Sequence, residues 1–124
     1  MTDENCVTFV ADCHVRAAAE LISHTWDPVV LSALRLGPTR RSDLMRRIAG
    51  VSDKVLTDSL RRLAGRGLVT RVGATSASGA VYRLSALGAS FANGPLAQLA
   101  QWAEENQAGL ADMFAELTEV TLVD

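Results

Sequence analysis

A chain of 124 residues, 48% hydrophobic and 21% charged, has the size and apolar content of one domain around one packed core. Its apolar runs are short and broken by charge, so no membrane span is expected, and its acidic start, MTDENC, is unlike a secretory signal, which points to the cytoplasm. The formal net charge of −2 excludes a uniformly basic protein, and no set of nucleophile, acid and base points to an enzyme or to a bound cofactor.

Charge is unevenly distributed. From Arg35 to Arg71 ten Lys/Arg face only Asp43, Asp53 and Asp58, a local excess of seven positive charges, while both flanks are acidic. A basic middle between acidic ends is the electrostatic footprint of a DNA-facing module in an otherwise acidic body; a merely solvated charged surface is the plainer alternative. The two cysteines, Cys6 and Cys13, are too few for a disulfide scaffold and lack zinc spacing, so no metal site is expected. His14 and His24 stand alone, without ligand spacing.

In chain order, residues 1–8 are polar. From Phe9 to Ile22 the spacing is helical, with Val10, Cys13, Ala17 and Leu21 on one face. Thr25 is a candidate cap for a second helix from Trp26 to Leu36, with Asp27 at the positive end of its dipole and Pro28 in its first turn. Val29, Val30, Leu31, Leu34 and Leu36 are its expected core side chains, and Gly37-Pro38 stops it. Thr39-Arg40-Arg41 is short and extended. Ser42 is placed to cap a third helix to about Ile48, with Leu44, Met45 and Ile48 inward and Arg46 and Arg47 outward.

A turn at Ala49-Gly50-Val51 leads into VSDKVLTDSLRRLAGRGL, the most informative stretch. Ser52 is a good N-cap, and Val55, Leu56, Leu60 and Leu63 form one apolar face. Asp53, Lys54, Thr57, Asp58, Arg61 and Arg62 then point outward, on a rod narrow enough for a major groove. Gly65 and Gly67 are expected to supply the positive φ that ends the helix. Two short helices joined by a tight Gly-containing turn make a helix-turn-helix. Leu68–Val72 and Ala80–Leu84 read as strands around the loop GATSASG, which places a β-hairpin wing directly after the second helix. Ser85 caps a further helix, Leu96, Leu99, Trp102 and Ala103 form a stripe, and Leu110, Met113, Phe114, Leu117 and Val120 mark a last amphipathic segment.

The fold class is therefore mainly α (α+β): a winged helix-turn-helix with extra terminal helices. Affinity for double-stranded DNA would come from Arg40, Arg41, Arg46, Arg61, Arg62 and Arg71 at phosphates, beside Thr39 and Ser52. Base reading falls to Asp53, Lys54, Thr57 and Arg61 in the leading half of the recognition helix. For Asp53 and Asp58 the alternatives are a dipole contact and surface pairing with Arg61 or Arg62.

From Cys13 to Trp102 the chain resembles the HxlR family of bacterial winged helix-turn-helix transcription regulators, within the MarR-like superfamily. The resemblance is carried by Cys13, Trp26, Leu36-Gly37-Pro38 with Arg40 or Arg41, and Gly50-Val51-Ser52 followed by Lys54, Leu56, Thr57, Leu60 and Leu63. It continues through Gly67-Leu68-Val69 with Arg71, Tyr82 with Leu84-Ser85, Leu87-Gly88 and Trp102. It implies a homodimer on an inverted-repeat operator, built as one domain over 1–124: residues 9–24 as an N-terminal dimerisation helix, 25–85 as the winged core and 86–124 as C-terminal dimerisation helices. The chain departs from the family at Ser23-His24-Thr25-Trp26, where a Gly-Gly-Lys-Trp turn is usual. It departs again at Ser78-Gly79-Ala80-Val81-Tyr82, where the usual wing arginine is missing.

The resemblance also raises redox or electrophile sensing through Cys13, with Cys6 as a second thiol; the alternative is that Cys13 is a small buried apolar residue. Seven residues apart on one helix, the two cysteines would lie about 10 Å apart, too far for a disulfide within the chain. Two other readings remain: an effector-binding regulator with a small-molecule pocket lined by Trp26, Trp102, Met113 and Phe114, and a winged-helix protein-interaction module.

Overall fold

The computed structural model describes residues 14–73 and 79–123, the side chains of 116–123 excepted. Helix α1 (His14–Glu20) leads to α2 (Trp26–Ala33), which tightens into a 3₁₀ turn at Leu34–Leu36. A two-residue strand β1 (Thr39–Arg40), α3 (Arg41–Arg47) and α4 (Asp53–Gly65) follow. The hairpin β2 (Val69–Val72) and β3 (Val81–Leu84) comes next. Then α5 (Ala86–Phe91) continues through a π-helical stretch, Ala92–Leu96, into α6 (Ala97–Glu105), and α7 is Gln107–Val123. Pro95, which cannot donate a backbone hydrogen bond, lies inside the π-helical stretch.

The sheet is three-stranded and antiparallel in the order β1-β3-β2. Thr39 faces Tyr82 and Arg40 faces Val81 across the first pair, and Arg71 faces Tyr82 across the second. The Arg41 amide donates to the Ala80 carbonyl at 2.8 Å, which ties the start of α3 to the hairpin. This is the expected winged helix-turn-helix, with the tip of the wing, 74–78, outside the described residues.

The core is filled by Val30, Leu31 and Leu34 of α2 and its extension, Leu44 and Ile48 of the α3 region, and Leu56, Leu60 and Leu63 of α4, closed by Leu68, Val69, Ala92 and Leu96. Trp26, Met45 and Val55 pack against it from its edge. Val29 and Leu36, expected inside, are exposed, Leu36 by 78%. Val29 stands off the face of α2 that buries Asp27, Val30 and Leu31; for Leu36 the reason is the 3₁₀ turn, whose three-residue period rotates it away from the row that Leu34 completes.

The helix ends correct three local expectations. Thr25 is itself in helical conformation and makes no side-chain cap. Helix α3 begins at Arg41, with extended Arg40 before it, so Ser42 lies inside the helix. Gly65 is the last residue of α4 and Arg66 still has right-handed helical angles, so the positive φ of 78° falls on Gly67 alone. The expected caps at Ser52 and Ser85 are present: each hydroxyl accepts a backbone N–H three residues on, from Val55 at 3.1 Å and from Gly88 at 3.0 Å.

Candidate nucleic-acid interface

Helix α4 carries three stripes. Leu56, Leu60 and Leu63 face the core. A second stripe points to solvent, with the side chains of Lys54, Arg61 and Asp53 exposed by 84%, 77% and 77%. Its charges meet on Asp58: Lys54 Nζ lies 2.9 Å from Asp58 Oδ2, and Arg61 reaches Oδ1 at 4.0 Å. The hydrogen bond from Lys54 holds the Asp58 carboxyl below the usual carboxylate range. These exposed pairs at helical spacing are weak and open readily to a competing anion.

The third stripe is polar and faces inward. Asp27, in the first turn of α2, is fully buried; its Oδ1 accepts from Ser59 Oγ at 2.7 Å and from Arg62 Nη2 at 2.8 Å, and its Oδ2 accepts from Arg62 Nε at 2.8 Å. Burial pushes the Asp27 carboxyl up, but the hydrogen bonds from Arg62 and Ser59 outweigh it, and the net shift is downward. The same pair raises the Arg62 guanidinium above its ordinary value. One turn further on, Arg66 Nη1 donates to the Glu20 carbonyl at 3.0 Å and Nη2 lies 3.7 Å from Glu20 Oε2, at the last residue of α1.

Four other predicted contacts also do structural work. Arg41, only 12% exposed, lies 2.9 Å from Asp53 Oδ1 and donates to the Asp53 carbonyl at 3.1 Å and to Thr57 Oγ1 at 2.6 Å. It locks the start of α3 to the first turn of α4. Thr39 is buried: its hydroxyl donates to the Gly37 carbonyl at 2.8 Å and accepts from Arg47 at 3.1 Å. Ser52 is occupied as the helix cap. Thr57 is half-buried, its hydroxyl accepting from Arg41. Arg62, read as outward, turns under the helix because a buried carboxylate lies within reach of its planar fork. Much of the basic excess between Arg35 and Arg71 thus serves internal links.

What remains outward is a narrower set. Lys54 and Arg61 stand on α4, Arg46 on α3 beside Asp43, Arg40 on β1 and Arg71 on β2. Arg40 and Arg71 make no side-chain hydrogen bond or ion pair among the described residues. A cleft of about 270 Å³ between α4 and the hairpin gathers Arg41, Thr57, Arg61, Arg71 and Tyr82, so α4 and the hairpin present arginines to one shared cleft. Cys13 and Cys6 lie outside the described residues. The four side chains considered for a small-molecule pocket do not converge: Trp26 packs on the core edge, while Trp102, Met113 and Phe114 are exposed on α6 and α7.

The Asp27–Ser59–Arg62 cluster escaped the sequence reading, which gave Asp27 to the helix dipole and Arg62 to DNA. The available signal was Ser59, a polar residue beside the Leu56, Leu60, Leu63 row, together with an acid in the otherwise apolar helix WDPVVLSA.

The comparisons agree with this architecture. The chain is 36% identical over 99 residues to the HTH-type transcriptional regulator YtfH of Escherichia coli K12, covering 79% of this chain and 78% of the relative. The solved structure of the transcriptional regulator ytfH from Salmonella typhimurium superposes with a TM-score of 0.69 at 33% identity, over 86% of this chain and 96% of that one. The redox regulator HypR in its reduced form superposes with a TM-score of 0.71 at 22% identity, over 79% of this chain and 97% of that one, a likeness of fold. No helix among the described residues is long and apolar enough to cross a membrane. With the HxlR-like helix-turn-helix family model matching residues 21–110, the chain belongs to the HxlR-like family of transcriptional regulators.

Proposed function

We propose that this regulator binds double-stranded DNA in the cytoplasm as a homodimer. Each α4 enters a major groove of one half of an inverted repeat. The observation that carries this reading is the solvent face of α4. Lys54, Arg61 and Asp53 project from a helix rigidly held on its other two faces, next to Arg71 across the cleft. Arg61 and Lys54 leave their weak surface pairs with Asp58 for phosphates or base edges. Arg40, Arg46 and Arg71 supply backbone contacts that release counterions. Arg41 acts by shaping the turn, with Thr57 and Asp53 as its partners.

The homodimer is supported by the terminal helices. Helices α1 and α6 bury no residue within one chain, and Val15, Leu99, Trp102, Met113 and Phe114 are exposed apolar side chains. An apolar surface of that kind on a small domain marks an interface. The test of DNA binding is Arg61→Ala. Because Arg61 is exposed, the variant keeps its melting temperature, while affinity for the selected operator falls about tenfold and the salt dependence of binding flattens by roughly one ion. Unchanged binding across a salt series removes Arg61 from the interface.

A further inference from the structure

A buried ion pair is an expensive way to join two helices. Apolar side chains of similar volume hold them as well or better, because they avoid desolvating two charges. What an ion pair of this geometry adds is directionality. The Arg62 fork meets both oxygens of Asp27, at 2.8 Å each, and Ser59 fixes Oδ1 from the side at 2.7 Å. Sliding or rolling of α4 along α2 breaks at least one of these bonds, whereas leucines tolerate such movement.

The placement of the links gives that directionality a consequence. Ser59, Arg62 and Arg66 recur at i, i+3 and i+7, so they form one stripe along α4. They hold the start of α2 through Asp27 and the end of α1 through Glu20. Helix α1 lies beside α5 and α6, where Ala18, Ala19 and Ile22 share an apolar groove with Phe91, Leu96 and Leu99. The face of α4 opposite this stripe is the one that meets solvent. The cluster thus connects the helix that reads to the helices that would carry a second copy.

We infer that Asp27, through Arg62 and Ser59, is a positioning and specificity-determining residue. It fixes the roll and tilt of α4 against the dimer frame and so sets which spacing between operator half-sites the protein accepts. This rests on the proposed dimeric DNA-binding reading. One base pair of spacing displaces a half-site by about 3.4 Å along the duplex and rotates it by roughly a tenth of a turn. A helix held by a bidentate fork discriminates against that displacement, and a helix free to roll absorbs it. Arg62 is not a DNA ligand in this arrangement, and the two roles separate experimentally.

The experiment selects bound duplexes from a random pool with the full chain, as wild type, Asp27→Asn and Arg62→Lys. Wild type is expected to enrich one inverted repeat at one spacer length. Both variants are expected to enrich the same half-site but to spread over spacers one base pair shorter and longer. Their affinity for the wild-type spacing falls about tenfold, and their salt slope matches that of wild type. Loss of active protein alone lowers apparent affinity and leaves the spacer preference intact, so a purely structural role is overturned or upheld by the spacer distribution. An unaltered spacer in both variants overturns the inference. So does tighter binding by Asp27→Asn with a salt slope steeper by about one ion, which identifies Arg62 as a phosphate ligand held back by Asp27. If Asp27→Asn does not fold, the neutral pair Asp27→Asn with Arg62→Gln, which keeps one hydrogen bond, is read the same way. Failure of the underlying reading shows in the wild-type arm, as no enriched repeat, and takes the inference with it; failure of the inference shows only in the variants.

Discussion

The winged core and the terminal helices are held by different means. Between Trp26 and Leu96 the chain satisfies itself: four α-helices, a 3₁₀ turn, a π-helical stretch and a hairpin enclose leucines and valines that are almost wholly buried. Helices α1 and α6 contribute no buried residue, although their sequences are no less apolar in places, and Trp102 is 54% exposed. The difference lies in where the apolar side chains find partners. In the core they find them within one chain, so damage there unfolds the subunit. On α1 and α6 they stay exposed within the one chain described; in the proposed homodimer, damage there separates copies and leaves each subunit folded.

The largest effect expected is therefore in the core, at Gly88. Ser85 caps α5, its amide donates to the Leu68 carbonyl at 3.0 Å and its hydroxyl donates to the Gly67 carbonyl at 2.6 Å, which draws α5 down onto the start of β2. A methyl group on Gly88 would lie 1.9 Å from the Leu68 carbonyl oxygen, which is backbone and cannot swing aside. Gly88→Ala should lower stability by about 3 kcal/mol, seen as a melting temperature down by roughly 10 °C. A melt unchanged from wild type means that α5 does not dock this way.

Next in size is Trp102→Asp on α6. The subunit should keep its circular dichroism and its unfolding cooperativity, since the indole is exposed within one chain. Sedimentation should report a monomer, and operator affinity should fall about 100-fold, because a single half-site loses the second copy's contribution. If Trp102→Asp unfolds the chain, the terminal helices belong to the core after all, and the contrast with residues 26–96 disappears.

Structure is legible in the sequence where one local rule decides the outcome. The order of helices and strands, the Ser52 and Ser85 caps and the Leu56, Leu60, Leu63 row all follow from local spacing and local hydrogen bonding. It is not legible where the partner is distant in sequence. Arg41, in a stretch that reads as extended, and Arg62, on its helix, look like outward cations, but Asp53 and Asp27 redirect them, and Asp27 lies 35 residues from Arg62. Thr39 looks like a surface hydroxyl until β1 pairs with β3 and covers it. A helical period places Leu36 inside, but the 3₁₀ turn does not keep that period, and Val29 stands off the face of α2 that buries Asp27, Val30 and Leu31. Site residues on α4 are thus half legible: the periodicity separates the apolar face from the polar ones, but does not distinguish the polar face proposed to read DNA from the polar face that anchors.

The smallest effect distinguishes those two polar faces by acid. Asp27 and Asp58 both have carboxyl pKa values below the ordinary 3.8, the first because Arg62 and Ser59 outweigh its burial, the second because Lys54 donates to it. A depressed folded-state pKa adds stability above the unfolded value, near pH 4, and that stability is lost as pH falls through the folded value. For buried Asp27 the loss is real, because protonation removes a bond to the Arg62 fork inside the core. For Asp58, which shares an exposed pair, solvent and salt replace the partner and little changes. Urea unfolding of wild type should therefore weaken between about pH 4 and pH 2. Asp27→Asn should start lower at pH 7 and converge on wild type across that window. Asp58→Asn should follow the wild-type curve throughout. Parallel curves for wild type and Asp27→Asn down to pH 2 would place the acid-sensitive link elsewhere and leave the inner stripe of α4 as plain packing.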